Sequence, residues 1–167
     1  MTTKSYPLRP FVPADAMALR ELFAQSIEEL TQDDYDEDQR VAWAATAEDA
    51  QDFATRLGSM LTLVVQIDGE PAGFASLKDN AVIEMLFVHR WHAGEGVGSA
   101  LVDALEKIAA ARGTAELTVD ASDTAVMFFE GRGYVATQRN AVPLDDQWLT
   151  NTTMKKQLKA PEGTPIQ

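Results

Sequence analysis

The tightest constraint on this chain lies between Met60 and Gly113. The segment MLTLVVQIDGEPAGFASLKDNAVIEMLFVH reads as three strand-length runs separated by Asp68-Gly69 and Asp79-Asn80. Two-residue turns of this composition tolerate positive φ and close antiparallel hairpins, so a three-stranded meander is expected. The last run stops at a loop holding Gly94, Gly96 and Gly98. A helical pattern over 96–112 follows at once, with Val97, Leu101, Leu105 and Ile108 on one face and Gly113 where a C-terminal stop belongs. Glycines at such a loop let a ligand approach the backbone where side chains would obstruct it.

The flanks complete an α+β pattern with a mixed sheet of about seven strands flanked by helices. SYPLRPF (5–11) is a short strand. Pro13 opens a helix with Met17, Leu19, Leu22, Phe23 and Ile27 near helical spacing, and shorter helices are expected over 37–45 and 47–57. AELTVD is a strand, and Ser122 or Asp123 is placed to cap the helix TAVMFFEGRG. YVATQRNAV and QWLTNTTMKKQL are two closing strands, with Pro143 and Asp145-Asp146 marking their turn. At 167 residues the chain suits one core and would be cramped as two, so 1–158 is read as one domain and 159–167, with two prolines and a glycine, as a frayed tail.

Bulk chemistry narrows the function. There is no cysteine, which excludes disulfides, thiolate metal sites and a cysteine nucleophile. A net charge of −12 repels nucleic acid. With no long apolar span and no signal-like N-terminus, a cytoplasmic protein with no membrane segment is expected.

A strand, a glycine loop and a helix N-terminus together offer free N–H groups and a positive helix end, which suit an anion and most often a phosphate. A P-loop would end in Gly-Lys-Ser/Thr, but this loop ends Gly98-Ser99-Ala100. A dinucleotide fingerprint would need a third glycine where Ser99 or Leu101 stands. VHRWHAGEGVGSAL instead closely resembles the acetyl-CoA motif of the GNAT superfamily of N-acetyltransferases, V-x-P-x-x-Q/R-G-x-G-x-G/A-x-x-L. Val88, Gly94, Gly96, Gly98 and Leu101 match, whereas Arg90 replaces the proline and Ala93 stands where glutamine or arginine is usual. AVMFFEGRGYVA resembles the later A-x-x-F-Y-x-x-x-G-F motif through Ala125, Phe128, Gly133 and Tyr134. Tyr35, Gln39 and Ala42-Trp43-Ala44 are similar to a bacterial subgroup of small-molecule or uncharacterised members, and the resemblance runs from Arg9 to Leu158.

The resemblance implies acetyl-CoA as acetyl donor and direct attack by an amine, without an acyl-enzyme. It implies that Leu86, Phe87 and Val88 pair with the pantetheine arm and that Ala93, Gly94, Glu95, Gly96, Val97, Gly98 and Ser99 hold the pyrophosphate. Ser122 and Phe129 would face the cofactor. Phe129 stands where many relatives carry a tyrosine that protonates the leaving thiolate. Glu84, in the strand just before the expected splay, is the candidate base, with His89 and His92 as alternatives. A metal on His89, His92 and Glu95 is set aside, because pyrophosphate explains this loop better. Tyr35, Trp43, Arg139 and Asn151 are expected at the acceptor by analogy with the subgroup. An inward Arg139 would point to an acceptor carboxylate, whereas the acidic run EELTQDDYDED (28–38) argues for a polyamine or basic peptide, and both stay open. The expected activity is acetylation of a primary amine on a small molecule. The alternatives are a protein or peptide acceptor and a non-catalytic acyl-CoA-binding module. A homodimer through an exposed sheet edge is compatible with the sequence.

Overall fold

A computed structural model describes residues 5–159. The tail expected from 159 onward lies almost wholly outside the described residues. The elements run β1 (Leu8–Pro10), α1 (Ala16–Leu30), α2 (Glu37–Ala44), α3 (Ala50–Gly58), β2 (Leu61–Ile67), β3 (Glu70–Lys78), β4 (Val82–Val88), α4 (Val97–Ala111), β5 (Glu116–Ser122), α5 (Val126–Gly131), β6 (Val135–Leu144) and β7 (Gln147–Gln157). The seven strands form one sheet in the order β1-β2-β3-β4-β5-β7-β6, and only the β4–β5 pair is parallel.

The meander folds as its turns dictate. Asp68 and Gly69 both have positive φ, as do Asp79 and Asn80, so each pair closes a tight hairpin. Side chains then alternate between two apolar layers. Leu63, Val65, Ala75 and Leu77 pack with Val97, Leu101, Leu105 and Ala109 of α4. Val64 and Phe74 pack on the opposite face with Leu19, Leu22, Phe23 and Ile27 of α1 and Phe53 and Leu57 of α3. Met17 does not join that layer: it points outward and is exposed.

Strand β4 breaks this alternation. Ser76 pairs with Met85 and Leu77 with Ile83, which leaves Glu84 as the extra residue of a β-bulge. Accordingly Ile83 packs in the α4 layer and Met85 in the α1–α3 layer, although two residues apart in a regular strand would share a face. The bulge coincides with a parting of the sheet. β4 pairs with β5 only at Val82–Thr118 and Ile83–Val119. Beyond that point β4 stays with β3 as far as Val88, and β5 stays with β7 as far as Ser122.

Two local expectations need correction. Neither Ser122 nor Asp123 caps α5, which starts after Ala125 with no side-chain cap. Ser122 is the last residue of β5, and the Asp123 carboxylate is taken by Arg139 and Thr150. Pro143 lies within β6, a free edge where its missing N–H costs no ladder bond, and the turn itself falls at Asp145 and Asp146.

Candidate active site

A cavity of about 320 Å³ fills the parting between β4 and β5. It reaches both faces of the sheet. Phe23, Tyr35, Trp43 and Arg56 wall it on one side and Ala125 and Phe129 on the other, and Val142, Leu144 and Leu149 of the β6–β7 hairpin close an end. Glu84 lies on its wall, exposed and without a hydrogen bond or ion pair to any described residue. Asp120, which the sequence reading did not single out, occupies the matching position on β5: each carboxylate is the first residue beyond the last paired rung, Ile83–Val119. Asp120 is exposed too and accepts a hydrogen bond from Thr153 Oγ1 at 2.6 Å.

Leu86, Phe87 and Val88 continue β4 past the parting. One edge of this segment pairs with β3, and the other, where Leu86 and Phe87 line the cavity, has no strand alongside among the described residues. A ligand chain can therefore add itself as a strand there. The segment runs straight into the glycine loop. A short 3₁₀ turn, Arg90–His92, is capped by His89, whose Nδ1 accepts from the Trp91 N–H at 3.1 Å. Burial, with His92 and Arg90 adding to it, holds the His89 imidazole below its ordinary pKa and so neutral. Gly94 and Gly96 take φ of 77° and 92°, and Gly96 is the N-cap of α4. The first helical bond is Ala100 N–H to Gly96 O at 3.0 Å. The N–H groups of Gly94, Gly96, Val97, Gly98 and Ser99 have no protein acceptor among the described residues. Five donors at the positive end of a fifteen-residue helix fit a pyrophosphate. Gly98 needs neither positive φ nor a close protein approach, since an added Cβ would meet Phe128 only at 3.6 Å. The absence of a side chain there keeps open the space in front of the donors. Ala93 takes nothing from this cradle, because its missing side chain supplied no backbone N–H. His92 Nδ1 and Glu95 Oε2 lie 2.9 Å apart, and Tyr6 Oη donates to the Glu95 carbonyl at 2.7 Å, fastening the loop to the N-terminal segment. No group of three metal-ligating side chains converges among the described residues.

The expected acceptor residues separate into two sets. Tyr35, Trp43 and Asn151 line the cavity, as do Ser122 and Phe129. Arg139 does not: it grips the Asp123 carboxylate with bonds of 2.6 and 3.1 Å. Tyr35 serves the same framework. Its hydroxyl donates to the Thr150 carbonyl at 2.6 Å and accepts from the Asp123 N–H at 2.8 Å, and burial pushes its pKa up to about 12. That hydroxyl is committed to the loop ends. Trp43 stands edge-on to Tyr35 and Phe87. Phe129 is fully buried and offers no proton. Tyr134 bonds Glu106 at 2.8 Å, away from the cavity lining. The acidic run is largely used up locally: Glu28 faces Arg40, Glu29 faces Arg90, Asp34 accepts from Thr124 and Asp36 caps α2.

A sheet parted at its one parallel pair, with an open strand edge leading to a helix-end anion cradle, defines an acyl-CoA-binding transferase frame. The sequence model for the acetyltransferase (GNAT) domain matches residues 31–158, and the chain belongs to that family of acetyltransferases. Among curated proteins it is 32% identical over 148 residues to an uncharacterised N-acetyltransferase, YafP, of Escherichia coli K12, covering 89% of this chain and 93% of that protein. Its fold superposes with a TM-score of 0.92 and 52% identity on a Rhodopseudomonas palustris GCN5-related N-acetyltransferase whose name also reads "Aminotransferase, Class-II", over 95% of this chain and 99% of that one. PaiA N-acetyltransferase of Thermoplasma acidophilum, solved with coenzyme A, shares the fold at a TM-score of 0.75 and 17% identity, over 92% and 99% of the two chains. Among the described residues no helix is long and apolar enough to cross a membrane.

Proposed function

We propose that this protein moves the acetyl group of acetyl-CoA to a primary amine of a small molecule by direct attack. The observation that carries the reading is the cavity in the β4–β5 parting, open to both faces of the sheet and contiguous with the free β4 edge. Donor and acceptor can meet there from opposite sides. The backbone of Leu86 to Val88 holds the pantetheine arm by strand addition, and an N–H on that edge polarises the thioester carbonyl. The N–H groups of Gly94 and of Gly96, Val97, Gly98 and Ser99 hold the pyrophosphate, with Ser122 and Phe129 beside the acyl end.

Glu84 takes the ammonium proton, directly or through one water, freeing the nitrogen lone pair. The bulge sets this carboxylate at the edge of the parting rather than in the sheet. The new C–N bond forms as the C–S bond breaks, and the electron pair leaves on sulfur. No phenol faces the sulfur, because Phe129 fills that slot and the Tyr35 hydroxyl is committed. A thiol of pKa about 8.5 leaves tolerably as thiolate near neutral pH, and the second N–H proton, released as the amide forms, passes through water to that thiolate. Closure of one cavity end by the β6–β7 hairpin favours a small acceptor over a peptide.

The test is thermal unfolding of the purified protein with acetyl-CoA, followed by thiol release with a panel of amines. Ligand at about 100 times its Kd adds roughly 2.7 kcal/mol of stability. A shift with amine-dependent thiol release supports the enzyme. A shift with no release from any amine identifies an acyl-CoA-binding module instead. The absence of a shift at millimolar ligand overturns the cofactor assignment.

A further inference from the structure

The cavity wall holds one arginine, Arg56, on the last turn of α3. Its Nη1 donates to the Thr46 carbonyl at 3.2 Å, and Thr46 also lines the cavity. No carboxylate lies within ion-pair distance of Arg56 among the described residues. Arg20 and Arg112 also lack a carboxylate partner among the described residues, but neither lines the cavity. Acidic residues outnumber basic ones 26 to 14, and five of the eight arginines (Arg9, Arg40, Arg90, Arg132 and Arg139) are paired with carboxylates. Asp52, one helical turn earlier on α3, is in reach by spacing yet makes no such pair. A second cavity of about 340 Å³ adjoins the first, since Arg56 and Glu84 border both. Its wall adds Lys78 and Asp79, and neither Lys78 nor Arg56 forms an ion pair with a carboxylate among the described residues.

A half-buried guanidinium at a cavity, left without a counter-ion where carboxylates abound, is arranged for an anion brought by the ligand. The first cavity also presents Glu84, with Asp120 across the parting, to a cation. Positive and negative groups thus border one small space, whose other walls include the apolar side chains of Phe23, Trp43, Phe87 and Leu149. Resting on the acetyltransferase reading above, we infer that the acceptor is an amino acid with an apolar side chain. Its carboxylate binds Arg56, its amine faces Glu84, and its side chain packs on the aromatic wall. Arg56 takes the specificity role that the sequence reading gave to Arg139, which the structure ties to Asp123 instead.

The experiment compares matched acceptors that differ only in the carboxylate: L-leucine against isoamylamine, L-phenylalanine against phenethylamine, and L-tryptophan against tryptamine. Initial thiol release from acetyl-CoA gives kcat/KM for each. The amino acid of at least one pair is expected to be preferred by about tenfold or more, the scale of one charge-assisted bidentate contact. Arg56→Gln should cut that preference ratio at least tenfold, chiefly through KM of the amino acid, with Arg56→Lys intermediate. The acetyl-CoA melting shift of each variant verifies that the cofactor side is folded. If Arg56→Gln does not fold, the wild-type ratios and Arg56→Lys decide. Equal or better use of the decarboxylated amines overturns the inference while leaving the acetyltransferase reading intact. So does a variant that lowers both rates and keeps their ratio, since that is a structural role. Thiol release with none of the probes or other amines, despite an acetyl-CoA melting shift, instead overturns the underlying reading and the inference with it.

Discussion

At the scale of single residues, the site turns on which carboxylate accepts the proton. Glu84 was legible as a carboxylate late in a strand that runs into a glycine loop. That it is a bulged residue was not, because a bulge is a property of the β3–β4 register and not of either strand alone. Asp120 and Arg56 escaped notice for a related reason: nothing local to β5 or α3 says which of their residues border a parting made by other strands. Arg139 failed in the opposite sense, since its guanidinium is taken by Asp123 and does not line the cavity. The two carboxylates are separable by experiment. Glu84→Gln should lower kcat about a hundredfold with acetyl-CoA affinity kept, the ordinary contribution of a general base. Asp120→Asn should act mainly on KM for the amine. If the two variants exchange these signatures, Asp120 is the base, and if neither lowers kcat, water alone takes the proton.

At the scale of elements, the meander and the two long helices could be read from turn dipeptides and apolar spacing, because those signals are local. The seating of α4 on the sheet was not read, yet it sets where the anion cradle sits. Gly73 of β3 faces that helix, and a Cβ there would lie 2.7 Å from Val97 Cγ1, 3.1 Å from the Phe87 carbonyl and 3.2 Å from Leu101 Cδ1. A glycine inside a strand is the signal that could have flagged the close approach. Val97 is the first residue of α4 and Phe87 belongs to the open β4 segment, so one methyl group would press on both halves of the cofactor site. Gly73→Ala should cost about 1–3 kcal/mol by overpacking and should weaken acetyl-CoA binding as well. Adding Val97→Ala should restore part of both losses. Calorimetric unfolding and acetyl-CoA titration of the single and double variants would read this coupling. Strictly additive losses would mean that the strand, and not the helix seat, absorbs the strain.

At the scale of the whole molecule, a net charge of −12 makes stability depend on pH in two opposed ways. Mild acidification first relieves repulsion among the excess carboxylates. Stronger acid then protonates the carboxylates that the fold uses. Bonds from Arg9 hold Asp15 below the usual carboxylate range. Burial alone would raise Asp123, but bonds from Arg139 and Thr150 outweigh it and leave it lowered too. Each therefore binds fewer protons folded than unfolded. Its contribution is complete above the unfolded value of about 3.9 and is lost as pH falls through the lower folded value. His89 has the same sign over a higher window, full above about 6.5 and lost below it as the half-buried ring is forced to charge. Asp123 is the informative position, because Tyr35, Arg139 and Thr150 meet on it and so join the α1–α2 loop, the end of β5 and the β6–β7 hairpin around the cavity. Asp123→Asn should be less stable than the parent at pH 7. The gap should be modest, since Arg139 is more than half exposed and solvent screens the pair, and it should narrow in salt. As pH falls below the unfolded value and through the lower folded one, both proteins come to carry a neutral group at this position, and the gap should close. Urea midpoints of the two proteins at pH 7, 5 and 3 measure this directly. A gap of constant size across that range would mean that Asp123 acts through hydrogen-bond geometry alone, and that its charge takes no part in holding the hairpin over the site.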